Sequence, residues 1–214
     1  MKTFTNFINE QRIDEISSDL SVSKKNRKYS VSKEGNLLRI MALRNIKFPD
    51  GVNVKAGTIG GLIESEDNLS QEGDCWIFGE AQVTGNARVY GNARVYQYVQ
   101  VYGSAEVYDN AQVYGSAKVY DNAQVYGSAK VYYNAQVYGS AKVYDNAEVL
   151  WRACVYDNAQ VYGNAEVTHD AQVYGSAKVY DNAQVSYKTK VYGDTEVHGE
   201  ANIDGGKYKT GDMV

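Results

Sequence analysis

From Ile77 to Ile203 an aliphatic residue stands at every sixth position, 22 in succession, with no insertion or deletion. All are Val except the two at the ends. A period kept this strictly overrides the usual division of a 214-residue chain into one or two globular domains, because each unit buries its apolar side against the next. The unit reads V-Y-[GD]-[NS]-A-x, as in Val119, Tyr120, Asp121, Asn122, Ala123 and Gln124. Taking A-x-V-Y as a four-residue strand, side-chain alternation points Ala and Val inward and x and Tyr outward. The two remaining residues tolerate φ > 0 and make tight corners. Ala leaves room for only a narrow core, which suits a triangular coil of three hexads stacked on identical coils. At about 4.8 Å between strands, the repeat predicts a rod of about seven coils, about 35 Å long. Copying this unit also explains 20 Tyr and 20 Gly beside one Pro and four Phe.

The flanks obey other rules. Residues 1–50 read as an N-terminal arm and cap: Phe4, Phe7, Ile8, Ile16 and Leu20 recur at helical spacing, and Lys28–Val31 and Leu37–Leu43 read as two short strands around a turn. Residues 51–76 read as an irregular first coil, since Ile63 and Leu69 are six apart but two residues out of phase with Ile77. The repeat proper spans 77–204, and 205–214 reads as a polar tail.

Unbroken hexads with an aliphatic anchor and a small residue two positions before it resemble the left-handed parallel β-helix of hexapeptide-repeat proteins. The resemblance implies an all-β, single-stranded left-handed β-helix with a small N-terminal cap containing a short helix and strands. The left hand comes from the resemblance alone, since the general crossover rule gives the opposite hand. The stretches LLRIMALRN, VKAGTIGGLIESEDNLSQEGDCWIF and AQVTGNARVYGNARVY are similar to a bacterial and phage group of tyrosine-hexad proteins. They do not resemble the loop-bearing acyltransferase branch, whose members carry a catalytic His beside an extruded loop.

Chemistry finds little purchase in this sequence. No loop interrupts 77–203, and the two histidines, His169 and His198, cannot supply the three ligands of a zinc site. No Ser-His-Asp arrangement, phosphate-binding loop or paired-Cys motif occurs. No catalytic residue, metal or cofactor is therefore expected. Cys75 falls at an inward position and Cys154 at an outward one, about four coils apart, so the two cannot pair. Net charge is −4 with Lys and Arg spread along the repeat, which argues against nucleic acid. No apolar run approaches a membrane span, and a cytoplasmic location is the expectation.

Positions 18 apart stack, so the hexads sort into three columns. Two carry outward Tyr ladders, Tyr102 to Tyr192 and Tyr90 to Tyr180. The third runs Phe78, Tyr96, Tyr114, Tyr132, Leu150, Thr168, Ser186, so its ladder is expected to stop halfway. Its corners depart from the Gly/Asp rule at Tyr133, Trp151, His169 and Tyr187, with Leu150, Arg152, Asp170 and Lys188 around them. Trp, Tyr and Arg are the residues enriched at energetic centres of interfaces. These eight residues are the expected contact site. The occupant is a foreign protein, a second copy of the chain, its own N-terminal arm or a small ligand. The function expected is a non-catalytic protein-binding rod; the resemblance to phage-borne proteins implies its narrowest form, a phage-encoded inhibitor that occludes a host defence protein. The alternatives are an acyltransferase-like enzyme at a subunit interface and a self-assembling structural component.

Overall fold

In the computed structural model, which describes residues 27–209, each hexad of the repeat lays one strand on one of three faces. Coils stack in parallel with partners 18 residues apart, as in Val119 against Val137 and Val125 against Val143. The result is an all-β parallel solenoid of about eight coils: the first face has 11 strands including those of the cap, the second 7 and the third 8.

The strands are two residues long, as in Lys118–Val119, where alternation predicted four. The missing two residues belong to the corners: Ala123 N–H donates back to Tyr120 O (3.3 Å) and closes a turn. They still join the ladder between coils, since Lys118 N–H donates to Ala135 O and Tyr120 N–H to Val137 O, both at 3.0 Å. The inward Ala and Val residues have no exposed surface from Ala81 to Val185, so the core is a closed apolar column with two side chains from each hexad. Each buried Val contributes about 1.5–3 kcal/mol before chain entropy is subtracted. Toward the C-terminus the Ala position is taken by buried Thr189 and Thr195, whose hydroxyls donate to Ser186 O (2.6 Å) and Tyr192 O (2.8 Å) and so enter the core satisfied.

The corners take up positive φ at their first residue. In the first two faces Gly and Asp share this position, and the pattern has a reason: a Cβ at Gly103 would lie 2.8 Å from Asp121 N in the coil above. An Asp in turn caps the next coil, as Asp121 Oδ2 accepts from Gly139 N–H at 3.2 Å.

The cap begins with the expected hairpin, β1 (Tyr29–Glu34) and β2 (Leu37–Ala42), turning at Gly35. A second small hairpin pairs β3 (Ile46–Lys47) with β4 (Asn53–Val54). Then β5 (Ile59–Ile63) pairs antiparallel with β2 and parallel with Gln82–Val83, converting one sheet pattern into the other. It crosses so close to the first coil that a Cβ at Gly61 would meet Ile77 Cγ2 at 2.3 Å.

The irregular first coil has a definite cause. Ile63 pairs with Val83 and Leu69 with Val89, 20 residues apart, whereas Ile77 pairs with Val95 at the ordinary 18. The two extra residues lie in the corner between Leu69 and Trp76. Buried Asn68 holds the preceding corner: its Oδ1 accepts from Glu64 N (3.0 Å) and Ser65 N (2.8 Å), and its Nδ2 donates to Gly85 O (2.9 Å) and Ala87 O (2.8 Å).

The helix expected from Phe4 to Leu20 lies outside the described residues; the helical element among those described is a 3₁₀ turn, Glu66–Asn68, in the first coil. The stretch read as tail supplies one more strand, Lys207–Tyr208, paired with Lys190–Val191. No helix among the described residues is long and apolar enough to cross a membrane.

Candidate functional site

The first and second faces carry the expected Tyr ladders, with ring centroids 4.8–5.1 Å apart and planes within 7°. Burial pushes the phenols of Tyr90, Tyr138 and Tyr144 up to about 12, so these rings are neutral, packed parts of the wall.

The third face differs from its sequence reading. Phe78 stacks on Tyr96 at 4.3 Å, Tyr96 meets Tyr114 edge-on at 6.5 Å, and Tyr114 stacks on Tyr132 at 4.7 Å. There the aromatic column was expected to stop. It steps sideways instead: Tyr132 contacts its neighbour Tyr133 at 5.2 Å, and the stack continues along the corner through Trp151 (4.4 Å), His169 (6.2 Å) and Tyr187 (4.6 Å). The signal was present in the sequence, since Tyr132 and Tyr133 are adjacent aromatics with the corner rings following at intervals of 18.

Tyr133, Trp151, His169 and Tyr187 hold φ of 60°, 65°, 61° and 56°. Positive φ is unfavourable for bulky side chains. The coil ladder imposes it on the first three, whose carbonyls accept from the residue after the corner one coil earlier: Ser116 N–H donates to Tyr133 O (2.6 Å), Asn134 N–H to Trp151 O (2.7 Å) and Arg152 N–H to His169 O (2.8 Å). The rings are therefore thrust outward, with Tyr133, Trp151 and Tyr187 45%, 47% and 55% exposed.

Beside the rings, Arg152 Nε and Nη2 grip Asp170 Oδ1 and Oδ2 at 2.7 and 2.8 Å, a bidentate pair between successive coils. Arg152 holds the Asp170 carboxyl below the usual range, with smaller contributions from Lys188 and His169. Asn134, Trp151, Arg152 and His169 line a shallow groove of about 320 Å³. Thr168 Oγ1 lies 3.2 Å from His169 Nδ1, fixing the imidazole on its inner side.

Of the eight expected residues, the structure brings seven onto one exposed edge. Leu150 is buried, so it supports the edge from within and offers no surface. Cys154, half buried beside the groove, has its thiol pushed up by burial and by the charge of Asp170. His198 sits apart, stacked on Tyr180 of the second face at 5.2 Å. Among the described residues no cluster of three or more His, Cys, Asp or Glu could hold a metal.

A second device on the third face was not legible in the sequence. The β3–β4 hairpin leans over its N-terminal end, where Phe48 lies under the Arg94 guanidinium (4.8 Å) and Asp50 Oδ2 accepts from Arg94 Nη1 (2.6 Å). A polar groove of about 520 Å³ continues from there past Gln112 and Lys130 to Glu148, whose carboxylate accepts from Lys130 Nζ (2.8 Å) and Tyr132 Oη (2.7 Å).

Comparison with known proteins agrees with this architecture. The family model described as the YdcK beta solenoid repeat matches residues 81–97, 87–103 and 159–175. A protein of Escherichia coli (strain K12) named as the uncharacterized acetyltransferase YdcK is 36% identical over 59 residues, 28% of this chain and 18% of that protein. The chain thus matches less than a fifth of the length of this relative.

Proposed function

We propose that this hexapeptide-repeat β-helix protein is a non-catalytic protein-binding rod, and that the third-face corner from Tyr133 to Tyr187 is its contact edge. One observation carries the reading: four aromatic rings stand exposed at positive φ, at corner positions that the other two faces give to Gly or Asp. An exposed aromatic stripe flanked by a fixed ion pair matches the anatomy of an interface centre with a polar rim. The edge is preformed by the coils, so binding orders little that is not already ordered. The narrowest form of the reading, inhibition of a host defence protein by occlusion, is supported by the resemblance to phage-borne tyrosine-hexad proteins alone.

A second reading, an acetyltransferase-like enzyme, is favoured by the name of the Escherichia coli relative. The experiment that separates them compares wild type with Trp151→Gly in sedimentation, in capture from a bacterial lysate and in titration with acetyl coenzyme A. A partner held by wild type and lost by the variant supports the binding rod. A dimer that dissociates in the variant makes the edge a seam between copies. Saturable coenzyme binding indifferent to the variant favours the enzyme.

A further inference from the structure

The cap is fastened to the first coil by a contact that the binding function does not use. Lys28 and Cys75 are both fully buried, and Lys28 Nζ lies 3.0 Å from Cys75 Sγ. Among the described residues, Nζ has one other hydrogen-bond acceptor, Glu72 O at 3.2 Å, and neither acceptor is a carboxylate. Sγ is otherwise ringed by carbonyl oxygens, those of Val89, Ser70 and Glu72 at 3.6–3.8 Å. A buried lysine beside a buried thiol is an unusual placement, since a charged ammonium in a packed site calls for a paired anion.

We propose that Lys28 and Cys75 are a redox modification site, at which dioxygen joins them through one bridging oxygen atom, Nζ–O–Sγ. The balance is direct. One amine hydrogen and the thiol hydrogen leave with one oxygen atom as water, and the second oxygen atom forms new bonds to nitrogen and to sulfur. Nitrogen and sulfur each give up two electrons, and the four reduce dioxygen. The amine keeps one hydrogen.

Three features favour this chemistry over ordinary thiol oxidation. The two heavy atoms already stand at a separation that one oxygen atom can span, whereas a direct N–S bond must close much of the gap within a packed cap. Burial lowers the Lys28 pKa, which favours the free amine whose lone pair the reaction needs. Burial also excludes the bulky thiols that carry a sulfenic acid onward to a disulfide. Cys154 is the internal contrast: among the described residues its thiol is hydrogen-bonded to Arg152 O at 3.6 Å and to no lysine. The bridge would tie residue 28 to residue 75 and so staple the first strand of the cap to the enlarged corner of the first coil.

The test uses the full chain, incubated under oxygen or under argon, with intact-mass measurement and peptide mapping without reductant. The expected product has gained one oxygen and lost two hydrogens, joins the peptides containing Lys28 and Cys75, and reverts with dithiothreitol. It is absent from Lys28→Arg and present in Cys154→Ser. The bridged form should also melt higher than the reduced one. No linked peptide, oxygen added to Cys75 alone, or a link without added oxygen would overturn the proposal. Mapping of the wild-type chain decides this even if Lys28→Arg fails to fold.

Discussion

Trp151 lies over Tyr133 with ring centroids 4.4 Å apart and planes 17° from parallel, each ring on its own coil and each at positive φ. Two opposed terms meet in this pair. A bulky residue in the left-handed region costs about 1–2 kcal/mol, and an aromatic contact returns about 0.5–1.5 kcal/mol. Trp151→Gly removes both, so its effect on stability in a denaturant titration should stay within about 1 kcal/mol, while partner binding falls at least tenfold. A loss of more than about 3 kcal/mol would make the stack part of the fold's own support.

Asn68 should behave in the opposite way. Its amide satisfies two N–H groups and two carbonyls in a buried corner, and Asn68→Asp turns the donor half into an acceptor facing Gly85 O and Ala87 O. Denaturation at neutral pH should show a loss of about 3 kcal/mol or more. Part of it should return in acid, because the protonated carboxyl can donate to one of those carbonyls.

Arg94→Ala should act locally. Arg94 is buried while Asp50 is half exposed, so the change removes the stacking on Phe48 and leaves a carboxylate that water can reach. Hydrogen exchange should rise in the β3–β4 hairpin and stay unchanged in the coils beyond Val113. Faster exchange throughout the rod would mean that the hairpin supports every coil.

The Tyr ladders fix the alkaline limit of the rod. Burial pushes the Tyr90, Tyr138 and Tyr144 phenols up to about 12, from about 10 for a phenol in water. A phenol raised in this way contributes stability that is fully present below the unfolded pKa and is lost as pH rises through the folded one. Stability should therefore hold to about pH 10 and fall between about 10 and 12, with phenolate absorbance in the native chain lagging behind that of the chain in guanidinium. Coincident titration of the two states would show that the rings are not held neutral by the wall.

The sequence was most legible where it repeats. Ala and Val alternating with Tyr and a polar residue fixed the inward set, the 18-residue stacking and the two uniform ladders, because each coil meets a copy of itself. Reading stopped where a contact joins unlike segments. Nothing local tells Arg94 to face Asp50 or Lys28 to reach Cys75, since those contacts close loops of 44 and 47 residues. The third face lies between these cases: its odd corners were visible, but the sideways step at Tyr132 and Tyr133 depends on where two adjacent rings point, and Leu150 is buried although its position in the repeat is outward.

The oversized first coil has a consequence for the rod as a whole. Shifting the chain by one 18-residue coil puts Val on Val and Ala on Ala again, so the core of the uniform part is indifferent to such a slip. The 20-residue turn that sets Ile63 on Val83 has no counterpart among the hexads. It works as the zero mark on a ruler of identical divisions: pairing that starts from it can count coils in only one way, and Trp151 then meets Tyr133 and His169 rather than any other corner.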